Sequence, residues 1–292
     1  MAAMIACIAG EEITRQWSDG QLAGEELGRR ETPFGLSGPI YHVTNHERPF
    51  YALARYGSGL AKPAPHRINN RANIYALKDL GAAGVLAWGP GGAITHDLAV
   101  GNLVMLSDLI DQTFLRNQTF FADCALGYLR QFPVFCPALS RVAAEAAGRV
   151  NLAHHTAGTA AVREGPRLET PAEIRTLAAV GAALVTHLFV PEVFLARELQ
   201  MCYAAACYVV NYAETGSRHR PFAAGGLFGG LVTATDAERV TATVRRMGEL
   251  VSAVAAAAEA GDLSCDCAAT MARNVEVYGL SDDWRTWLDA AP

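Results

Sequence analysis

Short apolar runs recur along the chain, and between several of them the apolar residues fall three and four positions apart. The runs Met4–Ala9, Phe50–Arg55, Gly84–Trp88, Asn102–Leu106, Thr159–Val162, Leu184–Phe189 and Met201–Val210 read as strands, and the spacing between them as helix. Strands alternating with helices predict an α/β protein whose sheet is covered by helices on both faces. Two helix starts are well marked. Thr170-Pro171-Ala172-Glu173 supplies an N-cap, a proline at the first helical position and a capping-box glutamate, with Gly181 placed to end the helix. Thr235-Asp236-Ala237-Glu238 repeats the box ahead of one long helix that carries Val240, Val244, Met247, Val251 and Val254 on one face and closes at Gly261. Asn211–Ala234, with Gly216, Gly225, Gly226, Gly229 and Gly230 around Arg218, His219 and Arg220, reads either as a lid over a site or as a surface loop. No repeat or linker composition divides residues 1–292, which predicts one domain.

Composition narrows the partner. The formal net charge is −5 and like charges form no long block, so the footprint of a nucleic-acid or acidic-membrane binder is missing and a small molecule is expected. The opening MAAMIACIAGEE has no basic region and reaches acidic residues quickly, which fits neither a signal peptide nor a membrane span and predicts a cytoplasmic protein. Cysteines stand at 7, 124, 136, 202, 207, 265 and 267, an odd number scattered through apolar segments, as reduced core thiols would be. Cys265 and Cys267 make a lone CxC and His154 and His155 are adjacent, so spacing alone assembles no metal site, and neither metal nor cofactor is expected.

Several strings read together are more specific. Thr32-Pro33-Phe34-Gly35, Asn70-Arg71-Ala72-Asn73-Ile74-Tyr75-Ala76-Leu77-Lys78, Asp111-Gln112-Thr113, Phe135-Cys136-Pro137, Glu164-Gly165-Pro166-Arg167, Val190-Pro191-Glu192 and Asn211-Tyr212-Ala213 follow one another in the order seen in methylthioadenosine phosphorylases and trimeric purine nucleoside phosphorylases. The chain resembles that family from about residue 3 to 270. The resemblance implies a three-layer αβα fold with a twisted mixed central sheet, a homotrimer, and a site at the carboxyl ends of the strands near a subunit boundary. The family reaction displaces a purine from C1′ of a ribose by phosphate through an oxocarbenium-like transition state. Such a site needs an anion cradle, contacts to the ribose hydroxyls and a donor for the charge developing on the base.

Against that pattern the anion cradle is altered. The family's Gly-Gly-Ser/Thr-Gly turn is replaced by Ala9-Gly10-Glu11-Glu12, and Arg-His-Gly by Arg55-Tyr56-Gly57. Its phosphate-binding threonine aligns with Gly89 in Trp88-Gly89-Pro90-Gly91-Gly92-Ala93, a turn that either receives an anion on its amides or is merely tight. Trp88 and Tyr56 read as filling the vacated volume. Arg55 is left as the phosphate cation or as the partner of Glu11 or Glu12.

The remaining contacts have also moved. His187-Leu188 replaces Met-Thr ahead of Phe189, Leu168 replaces the aromatic that stacks on the base, and Tyr128 aligns with a histidine that the neighbouring subunit supplies. His187 reads as an acid/base or as a satisfied buried histidine. Asn211 can both donate to and accept from a 6-oxopurine edge, which 6-aminopurine members read with aspartates.

Glu11 and Glu12 read either as helix-start or surface carboxylates or, by resemblance to the glutamates of methylthioadenosine/adenosylhomocysteine nucleosidases, as supplying a base that activates water, with Glu11 the first candidate and the choice of which faces the pocket left open. Three functions follow: hydrolytic or otherwise repurposed cleavage of a nucleoside-like substrate, phosphorolysis with an eccentric anion site, and non-catalytic binding.

Overall fold

The computed structural model describes residues 4–57, 62–213, 233–261 and 263–289. The strands are β1 (Met4–Ala9), β2 (Gly24–Gly28), β3 (Glu31–Thr32), β4 (Gly35–Leu36), β5 (Ile40–Val43), β6 (Phe50–Ala54), β7 (Ala82–Ala93), β8 (Leu103–Met105), β9 (Asp108–Gln112), β10 (His154–His155), β11 (Thr159–Arg163), β12 (Leu184–Thr186) and β13 (Cys202–Tyr212). The α-helices are α1 (Glu11–Ser18), α2 (Asn70–Asp79), α3 (Pro137–Arg149), α4 (Pro171–Ala179), α5 (Glu192–Glu198), α6 (Ala234–Arg245), α7 (Met247–Glu259), α8 (Ala272–Tyr278) and α9 (Arg285–Asp289).

Strand β1 shows why the sheet is covered twice. Ile5, Cys7 and Ala9 pack with Leu139 and Val142 of α3 and Leu250, Val251 and Val254 of α7. Ala6 and Ile8, pointing the other way, pack with Ile74 and Leu77 of α2 and Val193 and Leu195 of α5. Successive side chains alternate across a strand, so a run that is apolar throughout must bury both faces. The result is the three-layer αβα arrangement around a mixed sheet ordered β10-β8-β13-β7-β1-β6-β5-β2, with β12, β11 and β9 branching from β7.

The branch makes the crevice. One flank of β7 pairs with β1 as far as Ala87, and resumes with β12 only at Gly92 and Ala93. Between these points Trp88–Gly91 have no strand on that side among the described residues. Side chains serve their carbonyls instead: Arg55 Nη1 donates to Trp88 O at 3.2 Å and the Thr186 hydroxyl donates to Pro90 O at 2.9 Å. A gap at the carboxyl ends of parallel strands is where α/β sheets bind ligands.

Two expectations change in detail. The capping box at Thr170 forms as read, and α4 stops before Gly181 at φ +86°. The second box is shifted by two residues: Thr233 caps α6 by accepting from the Asp236 amide, and Asp236 reciprocates. The single long helix is two, broken at Arg246, which lets α7 lie against β1 while α6 covers β13. Most of the expected lid, residues 214–232, lies outside the described residues. No helix among the described residues is long and apolar enough to cross a membrane.

Candidate active site

A cavity of about 140 Å³ opens at this crevice, between the last residues of β7, the segment after β12, the end of β13 and the start of α4. Tyr56, Pro90, Leu168, His187, Leu188 and Asn211, dispersed in sequence, line it together. A bulge in β13 explains one part of the wall. Val209 pairs with Gly91 and Asn211 with Gly92, so Val210 is an extra residue, and both Val210 and Asn211 face the cavity. Asn211 is buried in this wall. Its Oδ1 lies 3.2 Å from where a Cβ at Gly92 would sit, so a side chain there would press on the amide.

His187 is held by its Nδ1, 3.2 Å from the carbonyl oxygen of Arg163. A carbonyl only accepts, so Nδ1 carries the proton and the neutral ring leaves Nε2 as an acceptor. Burial lowers the pKa of His187, and the nearby Glu169 carboxylate opposes that shift only in part. The ring is both a satisfied histidine and a cavity wall.

The anion side differs from the sequence reading. Arg55 is fully buried and forms a bidentate pair with Glu192, Nε to Oε1 at 2.8 Å and Nη2 to Oε2 at 3.1 Å, while Nη2 also donates to Ile8 O at 3.3 Å. Burial opposes its charge and the Glu192 carboxylate overcomes that opposition, while the Tyr203 hydroxyl donates to Glu192 Oε2 at 2.7 Å. Arg55 pairs with neither Glu11 nor Glu12 and does not line the cavity, because its guanidinium is consumed beneath it.

Glu11 is exposed and pairs with Lys62. Consecutive residues on a helix point about 100° apart, so the same turn that sends Glu11 to the surface sends Glu12 inward. Glu12 Oε1 accepts from the Tyr208 hydroxyl, and Oε2 is buried with no partner among the described residues. A Cβ at Gly10 would meet Glu12 Oε2 at 2.7 Å and the Tyr56 ring at 3.4 Å, which places this carboxylate beside a cavity-lining side chain. Of the two glutamates that the sequence offers, Glu11 faces solvent and Glu12 faces inward.

Trp88, Gly89, Phe189 and Tyr128 lie outside the cavity. Trp88 is buried in the core with its ring centroid 6.2 Å from that of Tyr208. Gly89 is closed over by Leu188, whose Cδ1 is 2.2 Å from where a Cβ would sit, so Gly89, which lies within β7, offers no open cradle. Phe189, at φ +74°, is fully buried with Arg55 5.9 Å from its ring centroid. Tyr128 is 86% exposed on this protomer.

The sequence profile of the Phosphorylase superfamily matches residues 24–258. The chain belongs to the phosphorylase superfamily. Among similar members, a probable 6-oxopurine nucleoside phosphorylase of Thermococcus kodakarensis is 40% identical over 190 residues, 63% of this chain and 70% of that one. An S-methyl-5′-thioadenosine phosphorylase of Saccharolobus solfataricus is 40% identical over 161 residues, 55% of this chain and 59% of that one. A crystal structure of an adenosine/methylthioadenosine phosphorylase double mutant from Schistosoma mansoni in complex with adenine shares the fold, with TM-score 0.77, 24% identity, and coverage of 96% of this chain and 100% of that chain.

Within this superfamily fold, sequence reading missed Tyr208, Glu192 and Arg116. Arg116 ties the cavity's rear wall, donating to the carbonyls of Arg163 and Glu164 at 3.0 Å each and of His187 at 2.9 Å. Burial opposes ionisation of Glu164, but the amides of Phe114 and Leu115 together with Arg116 outweigh it and lower its pKa. Four thiols that lie far apart in sequence, Cys136, Cys202, Cys265 and Cys267, converge where the starts of α3 and β13 meet the segment after α7.

Proposed function

We propose that this chain cleaves the N-glycosidic bond of a nucleoside carrying a 6-oxopurine-like base, with water rather than phosphate as the acceptor. The observation that carries the reading is the Arg55–Glu192 pair: with that arginine neutralised, no Lys or Arg is among the described residues lining the cavity. A phosphate dianion entering there would lose its hydration without a charged partner, and a charge-assisted hydrogen bond is worth about 1.5–3 kcal/mol. In the proposed step the C1′–N bond breaks and its electron pair passes to the base, whose edge receives the Asn211 amide. Water adds to C1′ and gives its proton to Glu12 Oε2. General-base assistance of this kind contributes about 10²–10⁴ in rate. His187 Nε2 accepts a hydroxyl hydrogen from the sugar.

Phosphorolysis is the second reading, and the descriptions of the relatives favour it. A panel of 6-oxo- and 6-aminopurine nucleosides, assayed with and without phosphate, separates the two. Base release that requires phosphate defeats hydrolysis, and binding without base release defeats both.

The proposal includes a homotrimer in which Tyr128 reaches a neighbour's site. Tyr128, Phe132, Phe114 and Leu115 are large apolar side chains left exposed on one protomer, as an interface would leave them. Light scattering that finds a monomer at micromolar concentration removes this part.

A further inference from the structure

We infer that Cys136, Cys202, Cys265 and Cys267 form a structural metal site of the tetrahedral tetrathiolate kind, with zinc as the ion. Their four Sγ atoms all lie within 4.8 Å of one another, and Cys202 and Cys265 stand 3.4 Å apart. Zinc–sulfur bonds of about 2.3 Å in a tetrahedron place the sulfurs about 3.8 Å from each other, so small rotamer shifts complete the site. The ligands approach from separate directions. Cys136 is the N-cap of α3, Cys202 is the first residue of β13, and Cys265 and Cys267 stand on the loop and short 3-10 turn that follow α7. Cys136 and Cys202 are buried and the CxC pair is half-buried, so the chain encloses the centre from one side as closed structural sites do.

The surroundings suit thiolates. The Leu139 amide donates to Cys136 Sγ at 3.4 Å, as backbone amides do to metal-bound sulfur. Arg197, fixed by the carbonyls of Arg130, Pro133 and Val134, interacts electrostatically with Cys136 and Cys267 and offsets part of the net negative charge of a zinc tetrathiolate. The CxC loop is independently anchored: Thr270 donates to Arg197 O at 2.8 Å, and Gln200 donates to Ala268 O. A loop held in place before the ion arrives loses less entropy on binding it.

The centre staples the end of the chain. Beyond Cys267, Met271 and Trp287 are buried on the face of the sheet that α2 and α5 cover. The ion would tie this segment to the first residue of β13, closing loops of more than 60 residues that would otherwise remain open in the unfolded chain.

The test uses the full chain, purified without a metal-affinity step under mild reduction from zinc-supplemented medium. Elemental analysis is expected to find about one zinc per chain, and the intact protein should resist alkylation at these four thiols until zinc is chelated. Removing the ion should lower the thermal midpoint, and cobalt(II) in its place should give the visible absorption and sulfur-to-cobalt charge-transfer band of a tetrahedral tetrathiolate. The paired substitution Cys265→Ser with Cys267→Ser should abolish stoichiometric zinc, and the cobalt spectrum of the unmutated chain decides the matter if that variant does not fold. Intact mass showing these cysteines joined as disulfides overturns the site. So does a preparation with four freely alkylated thiols and less than about a tenth of an equivalent of zinc, or a double variant that keeps a full equivalent.

Discussion

Arg55 and Glu192 form a buried bidentate ion pair, 2.8 and 3.1 Å long, at the strand gap under the cavity. Their separation by 137 residues makes this a tertiary contact that joins the end of β6 to the start of α5. Removing one partner strands a buried charge, whereas an exposed anion ligand would be lost without harm to the fold. Arg55→Met is therefore expected to destabilise the protein by about 3–5 kcal/mol in denaturant unfolding, and adding Glu192→Leu should recover part of that loss. An Arg55→Met variant of unchanged stability whose only defect is weaker phosphate binding would return Arg55 to the anion site.

Glu12 and Glu11 should behave differently although they are neighbours. Glu12→Gln keeps the hydrogen bond from Tyr208 possible but removes the basic lone pair, and turnover is expected to fall by about 10²–10⁴ with substrate binding nearly unchanged. Glu11→Gln breaks only an exposed pair with Lys62 and should stay within about threefold of the parent. Steady-state kinetics on both variants checks the assignment, and a reversed order of defects would overturn it.

Asn211→Asp tests the base reader. An ionised aspartate only accepts, so it opposes the O6 of a 6-oxopurine and suits the amino group of a 6-aminopurine. The ratio of kcat/KM for inosine over adenosine should drop by about 10-fold or more, the equivalent of one hydrogen bond lost and another gained. An unchanged ratio would mean that Asn211 does not touch the base.

Much of this arrangement was legible in the sequence, and the misses have physical causes. Met4–Ala9 was read to the residue because a fully apolar run flanked by a helix start leaves little choice. Leu184–Phe189 was read too long, since Phe189 turns to φ +74° and carries His187 and Leu188 off the strand into the cavity wall. The cap of α6 was misplaced because Thr233–Asp236 and Thr235–Glu238 both satisfy the capping-box spacing, and only packing chooses. Which of Glu11 and Glu12 points inward depends on the rotation of α1 against the sheet. The Arg55–Glu192 pair and the convergence of four thiols depend on side chains brought together over long sequence separations, which no local pattern encodes.

Glu198 gives the fold a pH dependence. Burial raises its pKa from 4.5 to about 7, against donation from the Thr119 hydroxyl and the Phe120 amide. The folded protein thus keeps a proton that the unfolded chain has released, so this contribution to stability is complete below the ordinary carboxylate pKa and lost as pH rises through 7. Glu198→Gln cannot lose that proton. Its stability relative to the parent should rise by about 1–3 kcal/mol between about pH 5 and about pH 8, measured by urea unfolding at each pH. A constant difference across that range would refute the assignment.

The sugar product formed from a turned-over nucleoside in the presence of saturating phosphate tests the central claim most directly. With Arg55 bound to Glu192 and Glu12 facing inward, the account predicts free sugar as the product and a rate of base release that does not depend on phosphate. A sugar 1-phosphate formed in step with the base, at a rate that rises with phosphate concentration, would contradict it.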